Sequence, residues 1–176
     1  EFYFFLDYFC GKEKADEYPE FTAVFVGQIS LRKGVQYLLE AWQKVNLKNA
    51  KLILVGKISE DFQKTWLQYQ NNPTIEHQEF CDPLPFYQKS HLFVFPSLEE
   101  GSALVTYEAM ACGLPSIVTY ESGSIIKDQK DGLIVKRGNA NDLAQKLEYL
   151  YHHQDLRITM GQSAQQKIRS YSWLKY

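Results

Sequence analysis

The sequence predicts a doubly wound α/β domain, a parallel sheet with helices on both faces. Two patterns carry that expectation. Short all-apolar runs recur without polar alternation, as strands buried on both faces do. Between them, apolar residues repeat every three or four positions, the period of a helix with one buried face. Regular alternation of the two marks parallel strands joined by helical crossovers.

The elements follow in order. TAVFVG at 22–27 is the first buried strand. Val35, Leu38, Leu39 and Trp42 stand at i, i+3, i+4 and i+7 and predict the first helix. KLILVG at 51–56 is the second strand, and Phe62, Trp66 and Tyr69 predict a second helix. HLFVFP at 91–96 is the third strand. A helix follows an acidic, glycine-containing turn, and Gly113 and Pro115 stop it. PSIVT at 115–119 and GLIV at 132–135 complete the strands. Leu143, Leu147 and Leu150 predict another helix, with Asn141 or Asp142 as its cap, and a last helix is expected over 155–170.

The first twenty residues read differently. Phe2, Tyr3, Phe4, Phe5, Tyr8 and Phe9 crowd the start, and a charged, proline-containing stretch follows. This predicts a linker or interdomain tail over 1–20 and one domain over 21–176. A strand or short helix packed on that same domain is the alternative. The last residues, Ser172-Trp173-Leu174-Lys175-Tyr176, read as an element interrupted rather than finished.

Composition excludes several classes. Apolar residues are 45% and charged residues 23% of 176, enough apolar surface to exclude a disordered chain. A net charge of -2 excludes a sequence-wide electrostatic grip on nucleic acid. No apolar run reaches the roughly 18 residues of a membrane span. Asp7 and the lack of a basic leader do not read as a secretory signal. Cys10, Cys81 and Cys112 form neither zinc spacing nor a disulfide frame, so a reducing, cytoplasmic setting is expected. His77, His91, His152 and His153 show no metal spacing and read as structural or solvent-facing.

In an open parallel sheet, ligands bind beyond the carboxyl ends of the strands. The loops after Val26, Val55, Phe95 and Val118 are therefore the candidates. The first carries Gly27, Gln28, Arg32, Lys33 and Gly34. A glycine leaves the strand, and a basic pair enters the helix, whose N-terminus favours phosphate. It matches neither GxxxxGK[ST] nor GxGxxG. A solvated turn bearing two cations would read the same way. The loop after Phe95 holds Glu100, Gly101, Ser102, Ala103, Leu104 and Glu108. If both glutamates were helical they would stand about 12 Å apart along the axis and about 80° round it. They would not share a proton or a metal, but would grip separate hydroxyl-bearing parts of one extended ligand. Glu100 could instead face a helix N-terminus, and Glu108 an exposed face. The loop after Val118 is small and polar around Gly123, suited to a phosphate or sugar or to an ordinary turn. DxD and GxSxG are both absent.

These blocks resemble a known family. PSLEEGSALVTYEAMACGLP, with Glu100 and Glu108 separated by seven residues, resembles the E-x7-E signature of retaining glycosyltransferases of family 4. FVGQISLRKG (25–34), SGSIIKDQKDGLIV (122–135) and SYSW (170–173) resemble three further segments of that family in the same order. The resemblance covers about residues 21–176. It implies the Rossmann-like C-terminal half of a two-domain GT-B enzyme, which binds a nucleoside diphosphate sugar. It implies catalytic roles for Glu100 at the donor hexose and Lys33 at the diphosphate, and places Glu108 on the ribose. Gly27, Arg32, the N–H groups of Gly101 to Leu104, and Gly123 would complete the donor site. One departure stands out: Gln28 occupies the place of the family's arginine, and Arg32 is expected to supply that charge. Phe80 and Cys81 fall near the family's base-binding loop. No metal cofactor is implied, and no nucleic acid. The implied partners are an N-terminal acceptor domain and a glycan or lipid acceptor. The implied location is cytoplasmic, with peripheral association at the inner membrane face. An epimerase-like nucleotide-sugar enzyme of the same architecture is one alternative. A non-catalytic α/β module acting through its aromatic start is the other.

Overall fold

A computed structural model describes residues 19–171. The aromatic start and Ser172 and Trp173 of the SYSW segment lie outside the described residues. β1 (Phe21–Val26) is followed by α1 (Val35–Val45) and β2 (Ala50–Val55). A 3-10 turn (Glu60–Phe62) then runs into a single-turn helix α2 (Gln63–Trp66). Next come β3 (Ile75–Gln78), α3 (Leu84–Lys89), β4 (Leu92–Phe95) and α4 (Leu104–Ala111). β5 (Ser116–Thr119) leads through a 3-10 turn (Tyr120–Ser122) to β6 (Gly132–Val135), α5 (Ala140–His152) and α6 (Gln154–Arg169).

The six strands pair in parallel in the order β3-β2-β1-β4-β5-β6. Helices cover both faces, with α1 packed against α5 and α4 against α6. Every residue of β1, β4 and β5 is buried, which is why these strands read as apolar runs broken only by small hydroxyl residues. Phe25 of β1 stacks on Phe95 of β4 with centroids 5.6 Å apart, and Phe95 stacks on Phe93 of its own strand at 6.0 Å.

Three sequence expectations change. Ile75-Glu76-His77-Gln78 forms an edge strand that apolar runs do not reveal; only Ile75 is buried. The helix expected around Phe62, Trp66 and Tyr69 is one 3-10 turn and one α-turn. The cap of α5 is Asn139, whose Oδ1 accepts from the Asp142 N–H at 3.0 Å, two residues before the expected position. His77 and His91 do structural work, while His152 and His153 are exposed. The Thr22 N–H donates to His91 Nδ1 at 3.0 Å while the ring stacks on Phe21. His77 Nε2 meets the Gly56 carbonyl at 2.9 Å.

Candidate functional site

The strand order reverses between β1 and β4, so the loops leaving these two strands flank the crevice where ligands of doubly wound sheets bind. Two backbone features press those loops together. Gly34 precedes α1 with φ 70°, and a Cβ there would stand 2.0 Å from the Pro96 carbonyl oxygen. The Leu98 N–H donates to the Arg32 carbonyl at 2.9 Å. This contact carries the basic pair of one loop to the acidic turn of the other.

Glu100 Oε1 is the focus. It accepts from Lys33 Nζ and, at 3.0 Å, from Arg32. Arg32 also donates to the Glu99 carbonyl at 3.1 Å. Lys33 and Glu100 are each 13% exposed at the side chain, Arg32 53%. Lys33 Nζ further lies 5.3 Å from the centroid of Phe95, a cation over a ring face. Glu100 lies in the loop, four residues before α4 begins, so the helical spacing to Glu108 does not apply.

The turn into α4 leaves donors open. The N–H groups of Gly101, Ser102, Leu104 and Val105 donate to no acceptor among the described residues. Ala103 differs from the expectation, because its N–H donates to the Ser122 carbonyl at 3.2 Å. Gly123 also differs. Its N–H donates to the Tyr120 carbonyl, and a Cβ at its φ of 62° would stand 2.3 Å from the Gly101 oxygen. It packs the loop after β5 beneath the turn rather than offering a donor. Gly27 has a similar part: its N–H continues the sheet to the Val55 carbonyl, and its own carbonyl abuts Gly56.

Glu108 is buried at 9% exposure, not on an open face. Its Oε2 accepts a 2.8 Å hydrogen bond from the hydroxyl of Tyr87, a residue of α3 with no exposed surface. Burial raises the Glu108 pKa above the usual carboxylate range; the Tyr87 hydroxyl opposes the rise and the charge of Asp82 adds to it. Sequence reading missed Tyr87, since no spacing rule links positions 87 and 108.

Phe80, in the loop that leaves β3, and Tyr120, in the turn that leaves β5, are 78% and 77% exposed. A broad depression of about 630 Å³, lined by Trp42, Asn46, Gln68 and Asn72 among others, lies where α1 ends and β3 begins. Among the described residues, no group of three or more His, Cys, Asp or Glu side chains could hold a metal ion. None of the described helices is long and apolar enough to cross a membrane.

The chain resembles known proteins in sequence and fold. A family model described as "Glycosyl transferases group 1" matches residues 20–153. An uncharacterized glycosyltransferase of Methanocaldococcus jannaschii is 32% identical over 157 residues, 86% of this chain and 44% of that protein. The capsular polysaccharide biosynthesis glycosyltransferase CapM of Staphylococcus aureus is 29% identical over 158 residues, 85% of this chain and 42% of that protein. The chain thus spans less than half the length of these relatives. Among solved structures, the C-terminal domain of a group 1 glycosyl transferase, LpcC, of Francisella tularensis superimposes with a TM-score of 0.83. It is 21% identical and covers 94% of this chain and 96% of that one. HepE of Anabaena, solved with UDP and glucose, gives 0.75 at 19% identity, over 85% of this chain and 43% of that one.

Proposed function

The chain belongs to the group 1 glycosyl transferases, and from that premise we propose that it is the donor-binding domain of a retaining, family 4 enzyme of the GT-B type. One observation carries this reading: the crevice between β1 and β4 joins a Lys33–Glu100 pair to a helix entrance with four uncommitted N–H donors. That is a site for a diphosphate. The relative of known structure bound to UDP and glucose supports a nucleoside diphosphate sugar as the ligand.

The roles follow from position. Lys33 and the N–H groups of Gly101, Ser102 and Leu104 receive the diphosphate. Arg32, half-exposed beside them, supplies the charge that Gln28 does not. Glu100 meets the donor hexose, and Glu108 accepts hydrogen bonds from the ribose hydroxyls. When the anomeric C–O bond breaks, negative charge grows on the departing diphosphate while the sugar becomes oxocarbenium-like. Lys33 and the aligned N–H groups stabilise that charge most strongly in the transition state. Side-chain cations and backbone dipoles serve in place of a metal in this account. Glu100 acts in this reading as the ion-pair partner of Lys33 and Arg32 rather than as a general base.

The acceptor side belongs to a second domain, whose closure over the crevice excludes water. A capsular polysaccharide enzyme and one named for a diphospho-undecaprenol substrate among the relatives support a glycan or lipid acceptor; the proposed location is the cytoplasm, at the inner membrane face. The test is a thermal-shift series with UDP, GDP, ADP and CDP, each with and without magnesium. A ligand at 100 times its dissociation constant adds about 2.7 kcal/mol. Stabilisation by one diphosphate, indifferent to magnesium, is expected. No shift with any of the four contradicts the reading.

A further inference from the structure

We propose that Tyr87 is a positioning residue: its hydroxyl holds one oxygen of Glu108, so that the other is presented as an ionised acceptor to the donor ribose. This rests on the donor-site reading above and names the device that makes Glu108 usable there.

The argument starts from burial. A carboxylate shut away from water favours its protonated form, and a protonated carboxyl spends one oxygen as a donor. Two vicinal hydroxyls need acceptors, so an uncontrolled Glu108 would be poorly matched to a ribose. The Tyr87 hydroxyl answers both problems. It stabilises the charged form by a 2.8 Å hydrogen bond to Oε2. It also fixes the plane of the carboxylate, because Tyr87 itself has little freedom. Its ring is fully buried and packs edge-on against Phe93 of β4 at 5.9 Å. α3 and α4 are thereby linked to the strand that ends at the crevice. The hydroxyl also lies 3.4 Å from the Val105 carbonyl, so its hydrogen has a shorter and a longer acceptor, and the carboxylate is the shorter.

Other charged and titratable groups act on this pair. Asp82, in the turn before α3, raises the Glu108 pKa by repulsion. Cys112, at the end of α4, acts on Tyr87, whose own pKa is held well above that of a free phenol by burial and by the Glu108 charge. The phenol is therefore a proton donor throughout the neutral range and does not itself switch.

The experiment is Tyr87→Phe, which keeps the ring and removes the hydroxyl, with Tyr87→Met as a second variant that fills the space without an aromatic ring. Two quantities are read on the 176-residue chain: the titration midpoint of the Glu108 carboxyl carbon by NMR, without ligand, and UDP, GDP, ADP and CDP affinity across pH. The expected result is a midpoint moved to higher pH in both variants. Affinity for the bound diphosphate should fall about tenfold below that midpoint, the size of one lost bond to a charged group, and recover as pH rises. An unchanged midpoint overturns the proposal. So does a loss of affinity equal at every pH, which is what a purely structural tyrosine would give. If the midpoint moves but the unaltered chain binds none of the four diphosphates, the donor-site reading fails, and the ribose role of Tyr87 falls with it.

Discussion

Glu100 and Glu108 stand eight positions apart in one segment, yet they occupy opposite electrostatic settings. Glu100 sits in a loop against Lys33 and Arg32, and its charge is met by charge. Glu108 sits inside α4 with a phenol for a partner and makes no ion pair among the described residues. The first setting uses Coulomb attraction at a partly solvated edge, where salt and pH matter in the ordinary way. The second uses a hydrogen bond in a place where charge is costly. One motif thus supplies two carboxylates of different chemical character. The difference suits a ligand that is anionic at one end and hydroxyl-bearing at the other.

Several substitutions break or sharpen that contrast. Gly34→Ala attacks only the first region, through its backbone. A Cβ would stand 2.0 Å from the Pro96 oxygen at a φ of 70°. A stability loss of about 3 kcal/mol or more is expected in urea unfolding, with the Glu108 titration unmoved. Lys33→Ala follows. It removes the cation held against Glu100 and is expected to weaken diphosphate binding about 100-fold, measured by calorimetry, while changing stability by only about 1 kcal/mol.

Glu108→Gln is expected to weaken binding by about 10-fold to 100-fold and to leave the neutral-pH protein no less stable. Its pH signature separates it from the first region. The folded-state pKa of Glu108 is raised, so the native state holds this proton more tightly than the unfolded chain does. Wild-type stability should therefore fall as pH rises through that raised pKa, above the usual carboxylate range, and this component should vanish in Glu108→Gln. Denaturation at several pH values between about 4 and about 8 reads it directly. Smallest is Arg32→Ala. With 53% of the side chain exposed, a loss of only about threefold in affinity is expected, shrinking further at high salt.

The fold was legible where burial was two-sided. β1, β4 and β5 contain no exposed residue, and their sequences are apolar but for the small hydroxyl residues Thr22, Ser116 and Thr119. β3 escaped notice because three of its four residues are not buried, and three polar residues in a row after Ile75 resemble a loop. α3 has no counterpart among the sequence expectations; it starts between Pro83 and Pro85, where Pro is tolerated in the first helical turn. At the site, Lys33, Glu100 and Glu108 were visible as charged residues where loops leave strands or where an apolar helix would bury them. Gly123 was visible too, but its chemistry was not. Only the approach of the Gly101 carbonyl shows that the glycine serves packing. Tyr87 was invisible for a similar reason: its partner is 21 residues away, on another helix.

The most direct test pairs ligand and protein changes at the ribose. The diphosphate that binds best is compared with its 2′,3′-dideoxy analogue, on the unaltered chain and on Glu108→Gln. If Glu108 accepts from the ribose hydroxyls, removing them costs the unaltered chain about tenfold or more in affinity and costs the variant little, because the two changes delete the same bonds. Equal losses in both proteins would show that the ribose lies elsewhere, and would contradict the placement of the donor on which this account depends.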